Sequence, residues 1–191
     1  MISKLAKSIA HFFVVQNITE ESKEVIYAYG MELLISDVLN TIIVLLIALF
    51  SHTLPAVVVF IAVFMGLRQF VGGFHANSHL SCMFTLVMVM MVFSYGICNV
   101  SGHITPIFSI SFIMIALPII LCIAPVPHPN KPMSEEKSVK LRKRSCILAV
   151  TLSVVTIALL VFQYQKLSLY VSSGMLLSAI MALLGHFFES G

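Results

Sequence analysis

Six apolar stretches dominate this chain of 191 residues, and all but the second are about as long as a bilayer's hydrocarbon core requires. They lie near 27–50, 54–70, 81–99, 104–124, 145–163 and 167–188. The purely apolar part of the second, 54–65, is short, so this stretch either extends to Phe70 or Val71 or ends in a re-entrant loop. Only 10% of the residues are charged, whereas a typical soluble domain has about 25%. The sequence therefore predicts an all-α fold, a polytopic membrane helical bundle with six transmembrane helices in a single integral membrane domain over 1–191.

The N-terminal segment 2–16 has a different pattern. Apolar residues recur at helical spacing on one side and polar or basic residues occupy the other, with Ile2, Leu5, Ile9 and Phe12 opposite Lys4, Lys7, Ser8 and His11. Such a helix is typical of segments that lie in the membrane interface instead of crossing the bilayer. We therefore predict an N-terminal interfacial amphipathic helix.

The basic residues predict the orientation of the chain. Six of the eleven Lys and Arg residues fall within 125–144, and cytoplasmic loops carry an excess of such residues. Counting spans from this segment places both termini and the loop after the second span on the cytoplasmic side of the membrane. The run 137–144 is interpreted as an orientation anchor, and the alternative is a docking face for anionic lipid or peptide.

A polar island, 66–82, interrupts the apolar pattern after the second stretch and is predicted to be a catalytic loop. It contains Arg68, His75, His79 and Cys82. Ionisable residues are costly next to lipid, so a chain that keeps them there generally uses them. A cysteine becomes an effective nucleophile when a neighbouring base or cation favours its thiolate. The pattern therefore predicts a Cys82 nucleophile with a histidine base.

Local geometry leaves two histidines as candidates for that base. His79 is three residues before Cys82 and would be its neighbour on a continuous helix. His75 is seven residues before, about 10.5 Å away along a helix axis, so it can serve only if the helix breaks between them. Gly72 and Gly73 before His75 favour such a break.

A zinc site is a competing interpretation of the same residues, since His75, His79 and Cys82 are three potential ligands. However, no carboxylate lies within 66–82 to act as a base, and the four cysteines form no CxxC pair. We therefore expect no metal and no cofactor. The net charge of +3 is small and bears on topology, so we expect no nucleic-acid partner.

The pattern Arg68…Gly73-Phe-His75…Cys82 before a span resembles the accessory gene regulator protein B family, membrane peptidases of Gram-positive quorum sensing. Tyr29-Gly-Met-Glu32 and the Pro-Asn-Lys-Pro sequence over 129–132 are also similar to that family. The resemblance implies that His75 and Cys82 are the catalytic pair, which favours His75 over His79. It also implies that Arg68 and Gly73 are functionally important.

The resemblance further implies a substrate, a location and an assembly. The substrate is a short amphipathic AgrD-like propeptide, which Cys82 cleaves through an acyl-enzyme thioester and which then cyclises to a thiolactone or lactone. The location is the bacterial cytoplasmic membrane, where lipid is a second partner. The assembly is a homodimer.

Several residues are expected to support this reaction. Arg68 suits the carboxylates of the propeptide's acidic tail. Gln69 and Asn77 are candidate oxyanion donors or His75-orienting groups, Gly72 is expected to shape the backbone, and Glu32 is expected to line the substrate cavity.

Two other functions compete with the peptidase. A small peptide transporter or exporter without proteolytic activity fits the spans and their acidic residues, but we find no inverted repeat and no polar cluster at the midplane. A non-catalytic scaffold leaves His75 and Cys82 unexplained. In the last stretch Gly174, Ser178 and Ala182 recur every four residues, which predicts close helix packing, either internal or in a dimer.

Overall fold

Seven α-helices make up most of the part of the chain that the structure describes, which is residues 2–72, 79–126 and 135–189 of a computed structural model. No strand occurs among these residues, so the predicted all-α class is confirmed. The helices are α1 (Ile2–Val15), α2 (Glu24–Phe50), α3 (Leu54–Val71), α4 (His79–Met91), α5 (Thr105–Ile123), α6 (Glu135–Val161) and α7 (Gln165–Glu189).

Five of the described helices, α2, α3, α5, α6 and α7, are long and apolar enough to cross a membrane. An α-helix satisfies its own backbone hydrogen bonds, which lipid cannot do. The third apolar stretch differs, because α4 gives way to a π-helical turn, Val92–Gly96, and a 3-10 turn, Ile97–Asn99. Only a shorter apolar helix, Val87–Asn99, is found there. The structure is therefore that of a multi-pass membrane protein, but it does not confirm the predicted count of six.

Helix α1 packs against α2 through small residues. Ala6 and Ala10 are fully buried, whereas Leu5 and Phe12 remain more than half exposed. The Phe13 ring meets the edge of Tyr27 with centroids 6.3 Å apart. The two helices therefore form a hairpin in which Phe13 contacts α2, whereas Leu5 and Phe12 of α1 stay exposed.

The short connections between helices gather at one end of the bundle. Thr53 Oγ1 lies 3.2 Å from Ser94 Oγ, and Lys166 Nζ donates a hydrogen bond to the carbonyl of Cys98 at 3.0 Å. At the opposite end, the N–H of Val126 donates to the carbonyl of Val71 at 2.9 Å. The bundle therefore has a short-connection end and an opposite end, and the segment after α3 begins at the latter.

Helix α7 packs closely on α3 through the stripe of small residues. A Cβ atom added at Gly174 would lie 2.9 Å from the carbonyl oxygen of Phe60, and Ser178 Oγ donates to the carbonyl of Phe64 at 3.4 Å. Ala182 is fully buried in the same region. Of the two roles that the sequence left open for this stripe, the structure shows internal packing.

This contact gives a first prediction. Gly174→Ala is expected to lower the free energy of unfolding by about 1–3 kcal/mol, because the added methyl group must displace the Phe60 backbone. The measurement is reversible unfolding in mixed micelles. Gly30→Ala is the control, since an added Cβ at Gly30 meets no atom within 4 Å and alanine is the better helix former by about 1 kcal/mol. Equal stability of Gly174→Ala and wild type would contradict this packing.

Candidate active site

The C-terminal end of α3 forms one border of the candidate site. The helix stops after Val71 because Gly72 adopts φ 74° and ψ −152°, a conformation that side-chain-bearing residues rarely reach. The N–H of Gly72 still donates to the carbonyl of Arg68 at 3.0 Å, which closes the last helical turn. The chain therefore turns sharply just before the segment that carries His75.

Gly72 also lies directly against the connection that follows α5. A Cβ atom at this position would be 2.7 Å from the carbonyl oxygen of Val126, much closer than real Cβ contacts. The backbone hydrogen bond from Val126 to Val71 runs beside it, and both valines are buried in the core. The entrance to the His75 segment is therefore fixed to the α5–α6 connection by backbone atoms.

Arg68 lies one turn before Gly72 and is partly buried. Its guanidinium carbon is 5.5 Å from the centre of the Phe64 ring, a distance at which a cation is attracted to the ring face. Gln69, the next residue, is exposed. The structure thus holds one cation and one exposed amide at this border of the site.

Helix α4 forms the other border and carries Cys82 as its fourth residue, with His79 as its first. Since α3 extends to Val71 and α4 begins at His79, both ends of the segment 66–82 are helical. Gly73, His75 and Asn77 lie outside the described residues.

A polar stripe on α2 supplies further candidates. Glu32, Ser36 and Asn40 recur every four residues, and Ser36 and Asn40 are only 7% and 8% exposed. Buried polar groups in membrane helices generally face the bundle interior, and α2 packs against α3 and α4. Of this stripe only Glu32 was predicted from the sequence, although the four-residue spacing of Ser36 from Glu32 and Asn40 is a usable signal.

Within 2–72, 79–126 and 135–189, no three His, Cys, Asp or Glu side chains come together as a metal site. Cys98, Cys122 and Cys146 are free thiols, and Cys122 is exposed on α5. A substitution at Cys122 therefore serves as a control for the corresponding substitution at Cys82.

Comparison with known proteins adds an independent line of evidence. The chain matches the family described as Accessory gene regulator B over residues 3–182. An AgrB-like protein of Clostridium beijerinckii is 25% identical over 145 residues, which cover 74% of this chain and 71% of that relative. No solved structure matches the chain. The family match includes both borders of the candidate site and the segment between them.

Proposed function

Because the chain belongs to the accessory gene regulator B family, we propose that it is a membrane cysteine endopeptidase that cleaves and cyclises a quorum-sensing propeptide. Membership itself implies involvement in accessory gene regulator quorum-sensing peptide processing. The observation that carries the finer proposal is that the family match over 3–182 includes His75 and Cys82.

The first step is acyl transfer to the enzyme. His75 takes the proton from the Cys82 thiol, and the sulfur attacks the carbonyl carbon of the peptide bond before the propeptide's C-terminal tail. The carbon–nitrogen bond then breaks, and the proton on His75 passes to the nitrogen of the departing tail. This leaves the N-terminal part of the propeptide attached to Cys82 as a thioester.

The second step closes the ring. A thiol or hydroxyl within the bound peptide gives up its proton and attacks the thioester carbonyl, which forms a thiolactone or lactone. The Cys82 sulfur leaves and regains a proton. Water would hydrolyse the intermediate unproductively, so the mechanism requires that water be excluded until the ring closes.

Neighbouring residues assist these steps. Arg68, fixed beside Phe64, binds a carboxylate of the acidic tail. Gln69 and Asn77 are oxyanion donors or His75-orienting groups. Gly72 and Gly73 set the backbone path between α3 and His75. On α2, Glu32 lines the substrate cavity together with Ser36.

The proposal includes the arrangement in the bacterial cell membrane. The chain crosses it six times, with α4 and the two turns after it as the shortest span. The end of the bundle that carries Gly72 and Cys82 faces the cytoplasm, as do both termini, because most basic residues follow α5 on that side. Helix α1 lies in the interface with Leu5 and Phe12 towards lipid.

The active form is a homodimer. Since the stripe that contains Gly174 already packs on α3, the dimer contact uses a different face.

The test is peptide mapping by mass spectrometry after the protein, reconstituted in lipid, meets a synthetic propeptide encoded by the neighbouring reading frame. We expect released tail and a propeptide thioester on Cys82, with Cys98, Cys122 and Cys146 unmodified as internal controls. Tail release without any cysteine adduct, and insensitive to thiol alkylation, would contradict the cysteine mechanism. Passage of intact propeptide across the membrane would instead favour an exporter.

A further inference from the structure

A cavity of about 300 Å³ opens between α4 and the pair formed by α5 and α7. Side chains of four helices and of the π-helical turn line it, among them Phe60, Met88, Phe93, Phe112, Ser173 and Leu177. Ser173 Oγ donates to the carbonyl of Tyr170 at 2.9 Å, so this hydroxyl is satisfied by its own helix. The lining therefore offers little to water, which needs several polar partners to occupy a cavity.

The mouth of the cavity lies on the outer surface of the bundle. Met88 and Val92 line it and are 51% and 64% exposed. Both belong to the part of the chain from α4 to the π-helical turn, and π-turns are often found at functional sites. Since the cavity is also lined by α5 and α7, which are long and apolar enough to cross a membrane, the medium that reaches the mouth is lipid hydrocarbon.

Lys166 lies on the same face of α7 as Ser173, nearer to the short-connection end of the bundle. Lys166 precedes Ser173 by seven residues, which is two turns and about 10.5 Å along α7. Its exposed ammonium donates to the carbonyl of Cys98 at 3.0 Å, and Cys98 follows Ile97, which also lines the cavity. An ammonium has three donors, so two remain for a ligand.

Among the described residues, no carboxylate forms an ion pair with this lysine. The eight acidic residues lie at 20–37, at 135–136 and at 189. The nearest of these along a helix, Asp37, is 13 residues or about 20 Å before the end of α2, whereas Lys166 stands at the short-connection end. The lysine is therefore available to an anion from outside the chain.

We propose that this cavity binds one acyl chain of an anionic phospholipid whose phosphate is held by Lys166. The apolar lining accepts the hydrocarbon, the lateral mouth admits it from the bilayer, and the ammonium stands where the headgroup region begins. The bound chain fills the space between α4 and α7 and so supports the helix that carries Cys82. This site is independent of the proposed peptidase chemistry, because it uses none of its residues.

The absence of tryptophan from the chain allows a clean test by fluorescence quenching. Met88→Trp places a reporter at the mouth, and Met114→Trp is the matched control, since Met114 is 70% exposed on α5 and does not line the cavity. Counted from the short-connection end, the two positions lie at similar depths of about 16 and about 14 Å. The full-length variants are reconstituted in phosphatidylcholine vesicles that contain a small fraction of phosphatidylglycerol brominated on its acyl chains.

We expect quenching of the Met88→Trp variant to exceed that of the Met114→Trp variant severalfold. Adding Lys166→Gln should reduce it to the level of the control, whereas Lys166→Arg should preserve it. Brominated phosphatidylcholine should show no such dependence on Lys166. Equal quenching at the two positions, or a strong Met88→Trp signal that ignores the charge at position 166, would overturn the proposal. Weaker quenching of Met88→Trp than of Met114→Trp by both lipids would also overturn it and would indicate a protein-covered cavity.

Discussion

Replacing Cys82 with alanine is expected to abolish both tail release and the thioester, and to lower the rate of propeptide turnover at least about a thousandfold. Alanine removes the sulfur nucleophile but is well tolerated in helices, so α4 should still form. The measurement is single-turnover tail release by the protein reconstituted in lipid, with the released tail and the cyclic product quantified by mass spectrometry.

Cys122→Ala is the matched control for this variant. It also removes a thiol from an apolar helix, but Cys122 is an exposed residue near the end of α5 and has no role in the proposed chemistry. We expect its turnover to equal that of wild type. Turnover by Cys82→Ala at a similar rate would remove Cys82 from the mechanism.

The same turnover assay distinguishes His75 from His79 as the base that activates Cys82. If His75 is the base, the His75→Ala variant should lose propeptide turnover about as completely as Cys82→Ala, because a nucleophile and its base act as a unit. His79→Ala should retain most of it. The opposite result would make His79 the base, as its place three residues before Cys82 in α4 would allow.

Hydropathy predicts the bounds of three membrane-spanning helices closely. Helices α3, α5 and α7 begin and end within two residues of the apolar stretches. Helix α6 begins ten residues before its stretch, at Glu135, where hydropathy gives no signal but the acidic pair Glu135 and Glu136 indicates a helix start. The π-helical turn at Val92–Gly96 has no comparable signal, since its residues are as apolar as those of a regular span.

The candidate site was predictable only where local chemistry marks it. Arg68, His75 and Cys82 stand out as polar residues in an apolar chain, and Gly72 stands out as a helix terminator. The contact between Gly72 and Val126 joins positions 54 residues apart, and no sequence pattern indicates it. Likewise, the spacing of Gly174 fits internal packing and dimerisation equally well, so only the fold distinguishes the two.

The second large effect on turnover is expected for Gly72→Ala, because Gly72 contacts the backbone of Val126. The φ of 74° at this position would strain alanine by about 1–3 kcal/mol. In addition, the new Cβ would overlap the Val126 carbonyl at 2.7 Å, so the two backbone segments must separate. Because this junction begins the segment that carries His75, we expect turnover of the propeptide to fall at least about tenfold, since small misplacements of catalytic groups are costly.

The matched control lies on the same helix. An alanine at Gly66 meets no atom within 4 Å and should leave turnover unchanged while stabilising α3 by up to about 1 kcal/mol. Turnover of both variants is compared at a temperature where each remains folded, as judged by its unfolding curve, so that loss of positioning is distinguished from loss of protein. If Gly72→Ala turns over propeptide as fast as Gly66→Ala, the junction between α3 and the α5–α6 connection does not position the His75 segment.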